Sequence, residues 1–138
     1  MDAKVTWKRE GLTFQASAST GGQIDLASAL DKGVEGFRPM ELLAMGLAGC
    51  TAMDVISILQ KKRQDVVDFE VRVHTEKAEK YPQVWTKAEI EYVVTGRGVD
   101  PAAIERAMEL SRQTYCPAQN MLGKAVNIET RYTLIEVE

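Results

Sequence analysis

Val5 and Trp7 are apolar among Lys4, Thr6 and Lys8, and Leu12, Phe14, Ala16 and Ala18 alternate with Thr13, Gln15, Ser17 and Ser19. A period of two turns one side of each stretch toward a core, so two strands joined around Glu10-Gly11 form a predicted hairpin. Thr20-Gly21-Gly22 is the next turn, Ile24 and Leu26 begin a third short strand, and residues 27–38 read as a loop. From Leu42 to Leu59 the alternation gives way to the run LLAMGLAGCTAMDVISIL, whose one charge is Asp54. Pro39 opens a helix there, because a first-turn residue has no helical N–H bond to lose. Lys61, Lys62 and Arg63 suit the negative end of its dipole, placing the end near Lys62. Alternation then resumes: Phe69, Val71 and Val73 against Glu70, Arg72 and His74, and Ala88, Ile90, Tyr92 and Val94 against Lys87, Glu89 and Glu91. Asp100-Pro101 pairs an N-cap with a first-turn proline, and Ile104, Ala107 and Met108 share one helical face. Cys116-Pro117 ends that helix and starts a short one through about Lys124, and a last strand covers roughly Asn127 to Val137.

The resulting order, β-β-β-α-β-β-α-α-β, describes an α+β domain with a largely antiparallel sheet, spanning 1–138 as a single domain. The apolar run is long enough for a membrane span. Asp54 within it, Glu41 beside it, Thr51, Ser57 and the amphipathic strands on both sides favour a long central buried helix instead. Such a helix needs cover on every side, and six short strands with one amphipathic helix supply about half. A homodimer with these helices near its two-fold axis resolves the shortage.

Composition narrows the function. At 138 residues and 15.3 kDa, with 45% hydrophobic and 27% charged residues, the chain is ordinary globular material and not a disordered one. A net charge of −3, without a basic stripe, argues against nucleic acid as a partner. The N-terminal MDAKVTWKRE has no apolar signal core, so a cytoplasmic location with reduced thiols is expected, and no membrane association.

Cys50 and Cys116 are the two cysteines, far apart in sequence and in no CxxC unit. With His74 the lone histidine, no metal site is expected, and no motif calls for a cofactor. The thiols are either inert core residues or a reactive pair. Cys116, before Pro117 at a helix start, is the easier thiolate, because unpaired N–H groups converge there. Cys50 lies in mid-helix with Asp54 one turn on, where a carboxylate disfavours a thiolate. His74 reads as a solvated residue, and Met40, Met45 and Met53 as core filler. Gly46 and Gly49 read as a site of close helix–helix approach, and Thr95-Gly96-Arg97-Gly98 as a plain turn.

The stretch Arg38-Pro-Met-Glu-Leu-Leu-Ala-Met-Gly-Leu-Ala-Gly-Cys-Thr-Ala-Met-Asp54, with Tyr115-Cys-Pro-Ala-Gln-Asn120 downstream, resembles the OsmC/Ohr family of thiol-dependent hydroperoxide reductases, in its Pro-Met-Glu-Leu-Leu branch. The resemblance implies an OsmC-like fold: an intertwined homodimer with antiparallel sheets wrapped around paired central helices and active sites at the interface. It implies that Cys50 attacks an organic hydroperoxide and Cys116 resolves the sulfenic acid as a disulfide, which a dithiol or lipoylated protein reduces. Family peroxidases place a glutamate directly after the helix-opening proline, paired with an arginine from the N-terminal hairpin. Here Met40 stands after Pro39, and Glu41 follows, turned by ~100° on a regular helix. Glu41 with Arg9, or with Arg38, are the implied activators. The departure at Met40 motivates an alternative, a redox-sensing or apolar ligand-binding protein of the same fold with little turnover. A structural dimer with inert thiols is a third reading.

Overall fold

Residue contacts in the computed structural model, which describes all residues 1–138, divide the chain into two compact units, Met1–Leu43 and Ala44–Glu138. The first holds β1 (Ala3–Trp7), β2 (Thr13–Ala18) and β3 (Gln23–Ala27), an antiparallel meander in that order. Its first hairpin closes around Glu10-Gly11 as the alternation requires. The turn takes left-handed backbone at Arg9 (φ 65°) and at Gly11 (φ 49°). Gly11 is needed twice over, because a Cβ there would also collide with the Asp31 carboxylate, which accepts from the Leu12 N–H at 2.7 Å.

The long helix α1 (Pro39–Lys61) starts at the proline and ends one residue before the expected Lys62. Beyond it lie β4 (Asp65–Lys77), β5 (Trp85–Arg97), α2 (Pro101–Leu110), a π-helical turn (Ser111–Tyr115), α3 (Pro117–Leu122) and β6 (Asn127–Glu136). The sheet order is β4-β5-β6, with β4 and β5 antiparallel and β5 and β6 parallel. A parallel neighbour requires a crossover, and α2, the π turn and α3 supply it. Alternation alone carries no information about strand direction, so the parallel pair appears only in the structure. Strands β4 and β5 run longer than their apolar alternation, since ladder pairing continues to Asp65↔Arg97 across an irregularity between Val66 and Asp68.

The core of the second unit follows the sequence pattern. Ala88, Ile90, Tyr92 and Val94, the apolar side of β5, are fully buried against Leu47, Val55 and Leu59 of α1 and Ile104 and Ala107 of α2. On α1 the buried residues are Leu47, Thr51, Val55 and Leu59, a stripe at four-residue spacing. Elsewhere on the helix Met40, Leu43, Met45 and Met53 are exposed, Met53 by 73%. One chain therefore covers one stripe of a helix whose length and apolarity would allow it to cross a membrane. Gly46 and Gly49, expected at a close helix contact, have open space where their side chains would be.

Gly96, within β5, meets the opposite situation: an added Cβ would fall on the Asp65 carbonyl oxygen and the Val99 side chain. Gly96→Ala is expected to lower the unfolding free energy by about 1–3 kcal/mol, read from the urea midpoint of the purified protein. An unchanged midpoint would show that β4 yields there at no cost.

Candidate functional site: two thiols and a buried polar chain

Cys116 occupies the N-cap of α3, with extended backbone (φ −84°, ψ 104°). Its sulfur accepts from the Gln119 backbone N–H at 3.3 Å. Three further bonds hold the segment: the Cys116 N–H reaches the Ser111 carbonyl at 2.8 Å, and Asn120 Nδ2 donates to the carbonyls of Cys116 (2.7 Å) and Arg112 (3.1 Å). The sulfur thus sits where helix N–H groups converge, as the Cys-Pro sequence indicates. The expected consequence does not follow. Cys116 has no exposed surface, and burial, the largest effect, pushes its thiol from about 9.0 up to about 11 against the helix bonds that pull it down. Cys116 is a thiol at neutral pH, which corrects the reading that made it the easier thiolate.

Cys50, half-buried on α1, lies near enough to Cys116 that its thiol adds to the upward shift of the Cys116 proton affinity. Both cysteines are free. The structure therefore brings together the two sulfurs that the sequence singled out.

Behind them runs a chain of side chains that sequence reasoning did not foresee. Ser111 Oγ donates to Asp54 Oδ2 at 2.9 Å. Thr51 Oγ1 lies 2.8 Å from Ser111 Oγ and 2.6 Å from Tyr92 Oη, and Gln119 Nε2 donates to it at 3.0 Å. The proton directions follow by elimination. Ser111 gives its one proton to Asp54, so Thr51 donates to Ser111, and Tyr92 donates to Thr51. Thr51 then makes one donated and two accepted bonds, the full capacity of a hydroxyl. Thr51, Tyr92, Ser111 and Gln119 are all buried. Burial raises the Tyr92 phenol above its ordinary range, and the charge of a Cys116 thiolate would raise it further. Gln119 Oε1 is buried without a partner. The π turn contributes to this arrangement: its wider ring ends in the bond from Cys116 N–H to the Ser111 carbonyl, five residues back, on the segment that buries the Ser111 hydroxyl. The only advance signals were Thr51 and Asp54 as polar residues in an apolar helix. Nothing in an alternating strand marks Tyr92 as polar in function.

Asp54 also lines a cavity of about 530 Å3 with Met53, Ser57, Ile58, Lys61, Lys62, Leu110 and Tyr115. Neither sulfur lines it. No group of histidine, cysteine and acidic residues is placed to hold a metal ion.

The other candidates lie in the first unit. Glu41 Oε1 accepts from the Arg38 N–H at 2.7 Å, and the Glu41 N–H reaches the Arg38 carbonyl at 2.9 Å, half of a capping box at the start of α1. Arg38 Nη1 donates to the Ala27 carbonyl at 3.4 Å. Arg9 is exposed in the hairpin turn. His74 is exposed on β4 opposite Glu89, as read from the sequence.

Comparison with known proteins assigns the class. Residues 31–131 match the family described as OsmC-like protein, and the chain belongs to that family. It is similar to Protein YhfA of Escherichia coli (strain K12), with 44% identity over 98% of each chain. Among solved structures it is similar to a hypothetical protein from Aquifex aeolicus VF5, at 30% identity and a TM-score of 0.87 over 99% of this chain and 97% of the other. The Organic Hydroperoxide Resistance Protein OhrB of Bacillus subtilis shares the fold at 20% identity, with a TM-score of 0.64 over 96% and 98% of the two chains.

Two outcomes follow from the geometry. Thr51→Val leaves Tyr92, Gln119 and Ser111 short of partners and is expected to cost at least about 2 kcal/mol. Thr51→Ser, which keeps the hydroxyl, costs about 1 kcal/mol. A Thr51→Val loss no larger than the Thr51→Ser loss in urea titrations would mean that the hydroxyl contributes no more than the methyl group. The raised Cys116 thiol gives a second outcome. Between about pH 9 and about pH 11 the unfolded chain releases this proton while the folded chain keeps it. Stability is therefore fully present below the unfolded value and falls as pH rises through the folded one. Cys116→Ala should lack that portion of the decline, and parallel curves would contradict the assignment.

Proposed function

We propose that this chain is a thiol-dependent peroxidase for organic hydroperoxides, with Cys50 as the attacking sulfur and Cys116 as the resolving one. The observation that carries the reading is the proximity of two free thiols of different environment, one half-buried and one fully enclosed, near enough that Cys50 helps to raise the Cys116 thiol. In the first step a Cys50 thiolate attacks the peroxide oxygen, the O–O bond breaks, and the alkoxide leaves as the alcohol after taking a proton. In the second, Cys116 sulfur attacks the Cys50 sulfenic acid, and its oxygen leaves as water. A dithiol or lipoylated protein restores both thiols by exchange. Glu41 and Arg9, or Arg38 in its place, are the proposed activators. Neighbours described as organic hydroperoxide resistance proteins share the fold and lend support at that level.

The proposal includes a cytoplasmic homodimer. The uncovered apolar side chains of α1 and the bare backbone at Gly46 and Gly49 favour a second copy as their cover. A second reading, a sensing or apolar ligand-binding protein with little turnover, is favoured by Glu41, which spends one carboxylate oxygen on the helix cap. The cavity beside Asp54 suits an apolar ligand in that case.

Mass spectrometry after one equivalent of cumene hydroperoxide separates the two readings. The peroxidase loses two hydrogens within seconds, Cys50→Ser loses none, and Cys116→Ser instead forms a sulfenic acid that dimedone traps. Thiol loss no faster than that of free cysteine would reject the enzyme. Sedimentation should give twice the 15.3 kDa chain mass, and a monomer would reject the dimer.

A further inference from the structure

Gln119 is the buried residue of α3, and it makes two bonds that bear on the thiols. Its backbone N–H donates to Cys116 Sγ at 3.3 Å, and its side-chain Nε2 donates to Thr51 Oγ1 at 3.0 Å. One residue therefore ties the enclosed sulfur to α1, at the position next to Cys50. A helix of six residues does not hold its own course in water, so the aim of its first N–H groups depends on what anchors it. Asn120 does not supply that anchor, because its side chain bonds the carbonyls of Arg112 and Cys116, on the segment just before α3. The Gln119 side chain reaches a separate element. The N–H that it steadies is also a bond that pulls the Cys116 thiol down against burial.

The anchor has a cost. Thr51 gives its one proton to Ser111, so Gln119 must present Nε2 to it; the reversed amide would set the lone pairs of two oxygens against each other. The required orientation leaves Gln119 Oε1 buried without a partner. An unpaired buried carbonyl costs more than one neutral hydrogen bond returns. A methionine would fill nearly the same space with no orphaned acceptor, so packing alone favours an apolar side chain at this position.

We propose that Gln119 is a positioning residue for disulfide closure: anchored on Thr51, it holds the Cys116 sulfur in place for attack on Cys50, although an apolar residue there would be the more stable. This deepens the peroxidase reading and rests on Cys116 as the resolving thiol. In that step the Cys116 proton leaves to water and its sulfur electron pair forms the S–S bond. The Cys50 S–O bond breaks with its pair on oxygen, which departs as hydroxide and is neutralised by the released proton. Cys116 is oxidised and the sulfenic sulfur reduced, so nothing beyond the initial peroxide is consumed. Gln119 exchanges no proton or electron; it narrows the arrangements that the attacking sulfur must search.

Ellman's reagent times closure without any peroxide. One equivalent converts the more exposed Cys50 to a mixed disulfide with thionitrobenzoate, releasing one coloured thiolate, and attack by Cys116 then releases a second. In Gln119→Met the second release should slow by about 10²-fold, while the first stays within about twofold of wild type. The urea midpoint of this variant should equal or exceed that of the wild type. Opening of the same mixed disulfide by added mercaptoethanol, measured in a Cys116→Ser background, should be no faster with Gln119→Met. Thr51→Val removes the same anchor from its other end, so the double variant should close no more slowly than the slower single variant. Wild-type closure in Gln119→Met would overturn the proposal and leave Cys116 as the resolving thiol. A lowered urea midpoint, faster opening by mercaptoethanol, or losses that multiply in the double variant would overturn it as well, since each marks general loosening. A wild-type chain that never releases the second thiolate would instead remove the resolving role of Cys116 itself.

Discussion

The Thr51 hydroxyl is the point on which the second unit is organised. It sits in mid-helix, fully buried, with bonds to a strand (Tyr92), to the π turn (Ser111) and to α3 (Gln119). A hydroxyl in an apolar interior is tolerated only when its bonds are made, and here all of its capacity is used. Apolar packing sets only approximately where α1, β5 and the Cys116 segment meet, because methylene surfaces slide at little cost. Hydrogen bonds with fixed lengths and directions do not slide. Gln119 transmits this constraint to the sulfur, for its side chain is tied to Thr51 and its backbone N–H to Cys116. The placement of Cys116 relative to α1 is thus fixed through residue 51, the immediate neighbour of Cys50.

That coupling clarifies the competition at Cys116. A helix start and a closed apolar surrounding act on a thiol in opposite senses, the first favouring the charged form and the second the neutral one. The N-cap offers one backbone bond of 3.3 Å to sulfur, an acceptor weaker than oxygen. Desolvation acts on the whole charge, and it prevails. Sequence carries the first influence in the dipeptide Cys116-Pro117, whereas burial depends on what the rest of the fold lays over it. The local reading therefore identified the right geometry and assigned it the wrong sign.

The same distinction separates what was legible from what was not. The element order, the hairpin at Glu10-Gly11, the opening of α1 at Pro39 and the buried side of β5 all arise from local period and capping, and the structure follows them. The family followed from Cys50 and Cys116 in their helical contexts, and comparison with known proteins bears it out. The parallel partnership of β6, the π turn and the polar line were not legible. Each depends on which distant element arrives beside a given residue: Tyr92 and Val94 are equivalent positions of one alternation, and only the approach of Thr51 makes the first a hydrogen-bond donor. Glu41 shows an intermediate case, since its place at the third helical position predicts a cap, and a cap bond is what it makes.

A polar line through an apolar helix also bears on what that helix is for. Thr51 and Asp54 lie nearly one turn apart, so together they mark a single narrow track along α1, and the track continues into the stripe buried against β5. The side chains off that track, Met45 and Met53 among them, are apolar and uncovered. A helix built to lie in lipid would have no use for a carboxylate held by a serine from another element, because lipid offers the same surroundings on every side. A helix built to sit between two protein surfaces can carry a polar thread on one side and an apolar face on the other. Within this chain α1 carries both: Thr51 and Asp54 hold one side by hydrogen bonds, and the adaptable, methionine-bearing side is left uncovered.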